Sequence, residues 1–177
     1  MLWKIIRKLS AYLKITFATL FDYELRALNR AETRLATSLP WMSKTAIHPE
    51  LRTCLTDRGS HCASNIASII KTQRACRYVP PWRERELSEI LTADGDGAID
   101  CLASWLVIDL ALIADARRIS HYLLARYQSA AILAGKLGDR DAEKTLKGIL
   151  SFERKYENNL DRNWRAIVRR ASRELVS

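Results

Sequence analysis

Apolar residues recur at Leu2, Ile5, Ile6, Leu9, Leu13, Phe17 and Leu20, the three-and-four spacing of one helix face. The same spacing continues through Leu25, Leu28, Leu35 and Leu39 to Pro40, where a residue without an N–H predicts a stop. One long helix, or two with a bend near Asp22, satisfies the pattern. A second helix is predicted from Pro49, with proline at its first position, to about Tyr78, just before Pro80-Pro81. Arg83 to Leu91 reads as a short helix. Asp94-Gly-Asp-Gly97 is the clearest break in the chain. It begins like a calcium loop but lacks the third acidic position and the closing glutamate, so a hinge with helix-capping aspartates is the better reading.

Residues 98–138 form the third long segment, which ends at Leu137-Gly138 in a helix stop. Its apolar run from Ala98 to Ala114 is broken by Asp100 and Asp109. A central aspartate is costly in hydrocarbon, so a core helix is predicted rather than a membrane span. Asp139-Arg-Asp141 should cap a fourth helix that runs past Trp164 and Val168. Four long helices with short turns predict an all-α, up-down four-helix bundle, with a short extra helix between the second and third.

Composition agrees. A chain of 177 residues fits one domain, residues 1–177, and its six glycines and four prolines are too few for an all-β fold. Cys54, Cys62, Cys76 and Cys101 form no C-x-x-C pair. The apolar run after Lys14 is short and has no small-residue cleavage site before Asp22. Reduced thiols in a cytoplasmic protein are therefore expected. No nucleophile with a base, no phosphate loop and no cofactor fingerprint is evident, and no small-molecule substrate is identified. These omissions argue against an enzyme.

Charge changes the picture. The net charge is +9. Residues 1–21 hold Lys4, Arg7, Lys8 and Lys14 with no acid, and residues 162–177 hold Arg162, Arg165, Arg169, Arg170 and Arg173 against Glu174. A nearly neutral body with two basic ends points to a localised anionic partner. In an up-down-up-down bundle the start of helix one and the end of helix four share an end, which predicts one joint patch. Lys4, Arg7, Lys8, Lys14, Arg162, Arg165, Arg169 and Arg173 are the candidate contacts. An anionic membrane surface suits the amphipathic segment 1–21, which would place the protein at the inner membrane face; nucleic acid is held on charge alone. The competing reading packs the apolar stripe of residues 2–20 on the bundle or on a second subunit.

The stretch Leu25 to Leu35 with Glu32, then Ser38-Leu-Pro-Trp-Met42 and Pro49-Glu-Leu51, together with Asp109 to Ala114, His121-Tyr122, Leu133 to Gly138 and Leu146 to Glu153, resembles the YciE/YciF-type ferritin-like family. The resemblance covers roughly residues 20 to 160. It implies a stress-associated bacterial protein, a dimer, and a di-iron bundle. Laid on the family pattern, the first-helix glutamate is Glu32. The second-helix pair E-E-T-x-x-Q falls on Ser60 and His61, with Asn65 for glutamine. The third-helix V-E-H-Y-E falls on Ile119 to Leu123, and the fourth-helix E-E-E on Ser151, Phe152 and Glu153. Most carboxylates are gone, so a dinuclear oxidase centre is not expected.

Two readings of the centre follow from that resemblance. Serine, leucine and phenylalanine have filled a dead site, leaving a non-enzymatic structural or interaction protein without a cofactor. Alternatively, Glu32, His61, His121 and Glu153, one from each helix, hold a single zinc, iron or manganese ion.

Overall fold

The computed structural model describes residues 2–73 and 105–174. Within them the chain forms α1 (Leu2–Thr45), α2 (Pro49–Thr72), α3 (Trp105–Leu137) and α4 (Arg140–Glu174), packed as a four-helix bundle. The expected short helix at residues 83–91, the Asp94–Gly97 hinge, Cys76 and Cys101 lie outside the described residues.

α1 is one continuous helix that passes through Pro40 rather than stopping there. A proline removes one N–H bond to the preceding turn. Here Leu39 and Met42, buried on either side of it, hold the last turn against the core. The helix ends where the Ala46 N–H closes on the Met42 carbonyl at 2.9 Å. The α3–α4 turn follows the expected chemistry. Gly138 takes φ +78°, the Asp139 N–H bonds the Ala134 carbonyl at 3.0 Å, and an Asp139 carboxylate oxygen accepts from the Ala142 N–H at 3.2 Å.

Asp109 interrupts the apolar run of α3 for a reason that lies outside α3. Its carboxylate is fully buried and accepts from the backbone N–H groups of Ile47 and His48, both at 2.8 Å. Those amides immediately precede α2, whose N-cap residue His48 makes no side-chain cap bond of its own. Asp109 therefore caps α2 from another helix. The Arg52 guanidinium completes the turn by donating to the Ala46 carbonyl at 2.8 Å.

These contacts also settle the direction of each helix. The start of α3 meets the α1–α2 turn, whereas Arg126 and Tyr127, further along α3, reach Glu24 and Glu32 on α1. α3 is thus antiparallel to α1 and parallel to α2. α4 returns along α3, with Arg117 on Glu157 at 2.9 Å, and its tail lies by the α1–α2 turn, where Arg170 shares a groove with Ile47, His48 and Pro49. The order is up-down-down-up. α1 and α4 are parallel, so the start of α1 and the end of α4 stand at opposite ends of the bundle. The predicted joint basic patch does not form. Lys4, Arg7, Lys8 and Lys14 belong to the first part of α1, about 45 Å or more from the α4 tail at 1.5 Å per residue. Among the described residues no helix is long and apolar enough to cross a membrane.

Candidate functional site

The inner stripe of α2 is Leu51, Leu55, Arg58, Cys62, Asn65 and Ile69, all buried. Five of its positions are apolar, thiol or amide; the sixth is an arginine with no solvent exposure. An unpaired charge there would be untenable. Glu32 on α1 and Glu153 on α4, also fully buried, supply its partners. Arg58 Nη2 donates to Glu32 Oε1 at 2.9 Å and Nη1 to Oε2 at 3.2 Å, a bidentate pair. On the other side Arg58 Nε stands 2.9 Å from Glu153 Oε2. That contact is at ion-pair distance but out of hydrogen-bonding line, and both Glu153 oxygens lack a hydrogen-bond partner.

The second rank of donors favours Glu32. The Tyr127 hydroxyl from α3 donates to Glu32 Oε1 at 2.7 Å, and the Asn65 amide donates to the same oxygen at 3.1 Å. Burial, with the charge of Glu32 beside it, pushes the Tyr127 phenol above its ordinary range, so it stays a donor. Burial works against the charged Arg58, but Glu153 and Glu32 outweigh it and raise its pKa. Burial pushes the Cys62 thiol up to about 11; it is a neutral neighbour, 3.3 Å from Arg58 Nη1.

One guanidinium serves two carboxylates, and Glu153 is the less well served. Burial raises its carboxyl to about 7, with Arg58 opposing the rise and Glu32 adding to it. Ser120 is fully buried and close enough to bear on Glu153, yet its hydroxyl has no aligned partner. The folded protein therefore binds this proton more tightly than the unfolded chain, whose glutamate titrates near 4.5. Between those values the native state holds more protons, so this group's contribution to stability falls as pH rises from about 4.5 to 7. Urea denaturation across that window should show the decline, and Glu153→Gln should remove it. An unchanged slope in the glutamine variant would assign the effect elsewhere.

Of the four residues predicted to hold a single metal, the structure brings together Glu32 and Glu153 and leaves out the histidines. His61 is exposed on α2, stacked on Phe152 with ring centroids 4.0 Å apart, its Nδ1 at 2.8 Å from the Asp57 carbonyl. His121 is exposed on α3, its Nε2 3.3 Å from Glu157. Neither faces the centre, because on each helix the inward positions fall elsewhere: 58, 62 and 65 on α2, and 116, 120, 123 and 127 on α3. Among the described residues no group of three or more His, Cys, Asp or Glu is placed to hold a metal ion. The donor set does not fit one either, since a guanidinium occupies the space between the two carboxylates, where a metal would meet like charge.

The expected family positions explain this centre in part. Of the positions that the resemblance assigns to family glutamates, Ser120 and Leu123 are fully buried. Ser60 and Ser151 are exposed. Arg58 was not among the sequence candidates. Its signal was nevertheless available: a charged residue in register with an apolar stripe spaced at 51, 55, 58, 62, 65 and 69. Elsewhere, Arg162 lines an open groove of about 400 Å³ between α2 and α4, with Glu50, Asp57 and Asn159. Arg165 pairs with Asp161 at 2.8 Å, while Arg169 and Arg173 are exposed.

Residues 16–173 match the family model described as a domain of unknown function, DUF892. The chain belongs to this family. Among solved structures, the stress protein YciF of Escherichia coli is 25% identical with a TM-score of 0.76, over 86% of this chain and 97% of that one. YcfI of Rhodopseudomonas palustris, proposed to be a structural protein, is 25% identical with a TM-score of 0.71, over 80% of this chain and 90% of that one. A Xanthomonas campestris protein shares the fold at 17% identity and a TM-score of 0.62, over 90% of this chain and 99% of that one. No curated protein matches the chain. The YciF-type ferritin-like identity and the helical bundle expected from the sequence are both shown.

Proposed function

We propose that this protein is a non-enzymatic, stress-associated structural or interaction protein whose metal centre has degenerated and been closed by Arg58. The observation that carries the reading is the buried guanidinium between Glu32 and Glu153. It supplies in fixed form the positive charge that those carboxylates would otherwise take from an ion. Ser120 and Leu123, at positions where the family pattern has glutamates, remove ligands that a dinuclear centre needs. The stress and structural roles of YciF and YcfI, as those proteins are described, support the same direction.

The test is elemental analysis of full-length protein purified without chelator, then challenged with ferrous iron and with manganese. The expected result is well under one equivalent of either metal and no oxygen-dependent iron oxidation. Two metal ions per chain with such oxidation would sink the reading and restore a catalytic centre. A single tightly held zinc, iron or manganese ion would favour a mononuclear site instead.

A further inference from the structure

Large apolar side chains exposed to solvent fall into two groups among the described residues. Trp41, Ile47, Val107 and Val168 lie within about two turns of the α1–α2 turn, and Phe17, Leu20, Ile70 and Ile132 lie toward the other end. Among the described residues the waist of the bundle has none. Single exposed apolar residues are ordinary, but their collection at an end marks a contact surface.

The α1–α2 end carries a second feature. Lys44, Arg169 and Arg173 are exposed there and have no carboxylate partner among the described residues. Of the carboxylates nearby, Asp109 is buried on the turn amides and Asp161 pairs with Arg165, while Glu50 and Asp57 line the groove beside Arg162. An indole, three aliphatic side chains and three cations without a carboxylate partner among the described residues thus share one end of the bundle.

We infer that this end of the bundle docks on an anionic lipid surface. The chemistry selects among occupants. Nucleic acid would engage the cations and leave Trp41, Ile47, Val107 and Val168 in water. A second copy stacked end to end would bring basic groups together, because the far end carries Lys4, Arg7, Lys8 and Lys14. A bilayer with acidic headgroups satisfies both features: the tryptophan and aliphatics enter the interfacial layer, and the cations meet the phosphates. Of the two basic segments that the sequence offered for such a surface, the inference keeps the tail of α4, with Arg169 and Arg173, and joins it to the α1–α2 turn in place of residues 1–21.

Sedimentation of the full chain with phosphatidylcholine vesicles, with and without phosphatidylglycerol, tests it. Binding is expected only to the anionic vesicles and should weaken steeply with salt. Each cation at such a surface changes binding about fivefold, so the double variant Arg169→Glu/Arg173→Glu should bind at least about twentyfold more weakly. Trp41→Ser/Val168→Ser should lose about tenfold through the apolar contact. All four positions are exposed, and an unchanged melting curve for each variant shows that the bundle is intact; Lys44→Glu serves if either double variant fails to fold. The inference is overturned if the full chain ignores anionic vesicles, or if these variants bind as the parent does, which would assign the contact to the other end. It is equally overturned if the arginine variant weakens duplex DNA binding while vesicles are ignored and the Trp41/Val168 variant is without effect.

Discussion

Replacing Arg58 with methionine is expected to destabilise the protein by about 3–5 kcal/mol at neutral pH, the usual cost of removing one partner of a buried ion pair. Methionine fills much of the same volume, so the loss reports charge rather than a cavity. Glu32 and Glu153 would then face each other across the core with no cation between them. Lowering the pH to about 5 should restore part of the stability by neutralising a carboxyl, which inverts the ordinary acid sensitivity of a folded protein. The triple variant Arg58→Met/Glu32→Gln/Glu153→Leu should recover most of the loss at every pH, because buried charge networks are often replaceable by apolar or neutral groups. Chemical denaturation at pH 5 and pH 7 reads all three outcomes. A methionine variant as stable as the parent would show that Glu32 and Glu153 do not depend on Arg58, and the closed-centre reading would lose its basis.

The second large effect belongs to Asp109→Ala. It removes the acceptor for two backbone N–H groups in a buried place, and hydrogen bonds to a charged group are each worth about 1.5–3 kcal/mol. A net loss of about 3 kcal/mol is expected, with the two bonds not fully additive. The loss should be local as well as global. Hydrogen exchange at Ile47 and His48 should accelerate well beyond that of amides in the middle of α2, since those N–H groups have no other partner in the turn. Uniform acceleration along α2 would mean that Asp109 acts through packing rather than as a cap.

Helix identity was legible in the chain because the 3.6-residue repeat is a local property. Leu25, Leu28, Leu35 and Leu39 announce the buried stripe of α1, and Gly138 with Asp139 announces the α3–α4 turn, each from a few neighbouring residues. The ferritin-like family was legible for a related reason: its motifs are short runs on single helices. Pro40 misled because a proline removes only one helical bond, and the burial of Leu39 and Met42, set by other helices, outweighed that loss.

Three things were decided by tertiary packing. The first is the direction of α3. Nothing local says that Asp109 will meet amides 62 and 61 residues earlier in the chain, yet that contact makes the order up-down-down-up and sends the basic segments to opposite ends. The second is the fate of the candidate ligands. Glu32 and Glu153 turn inward and His61 and His121 outward because each residue along a helix rotates the side-chain direction by about 100°, so that His121 faces solvent although its neighbour Ser120 is buried. The third is Arg58. Its place on an apolar stripe is written in the sequence, but a buried arginine is tolerated only if carboxylates wait opposite it. Glu32 on α1 and Glu153 on α4 come within about 3 Å of it only when the helices close, because the partners of a buried charge are fixed by packing over long separations and not by neighbours along the chain.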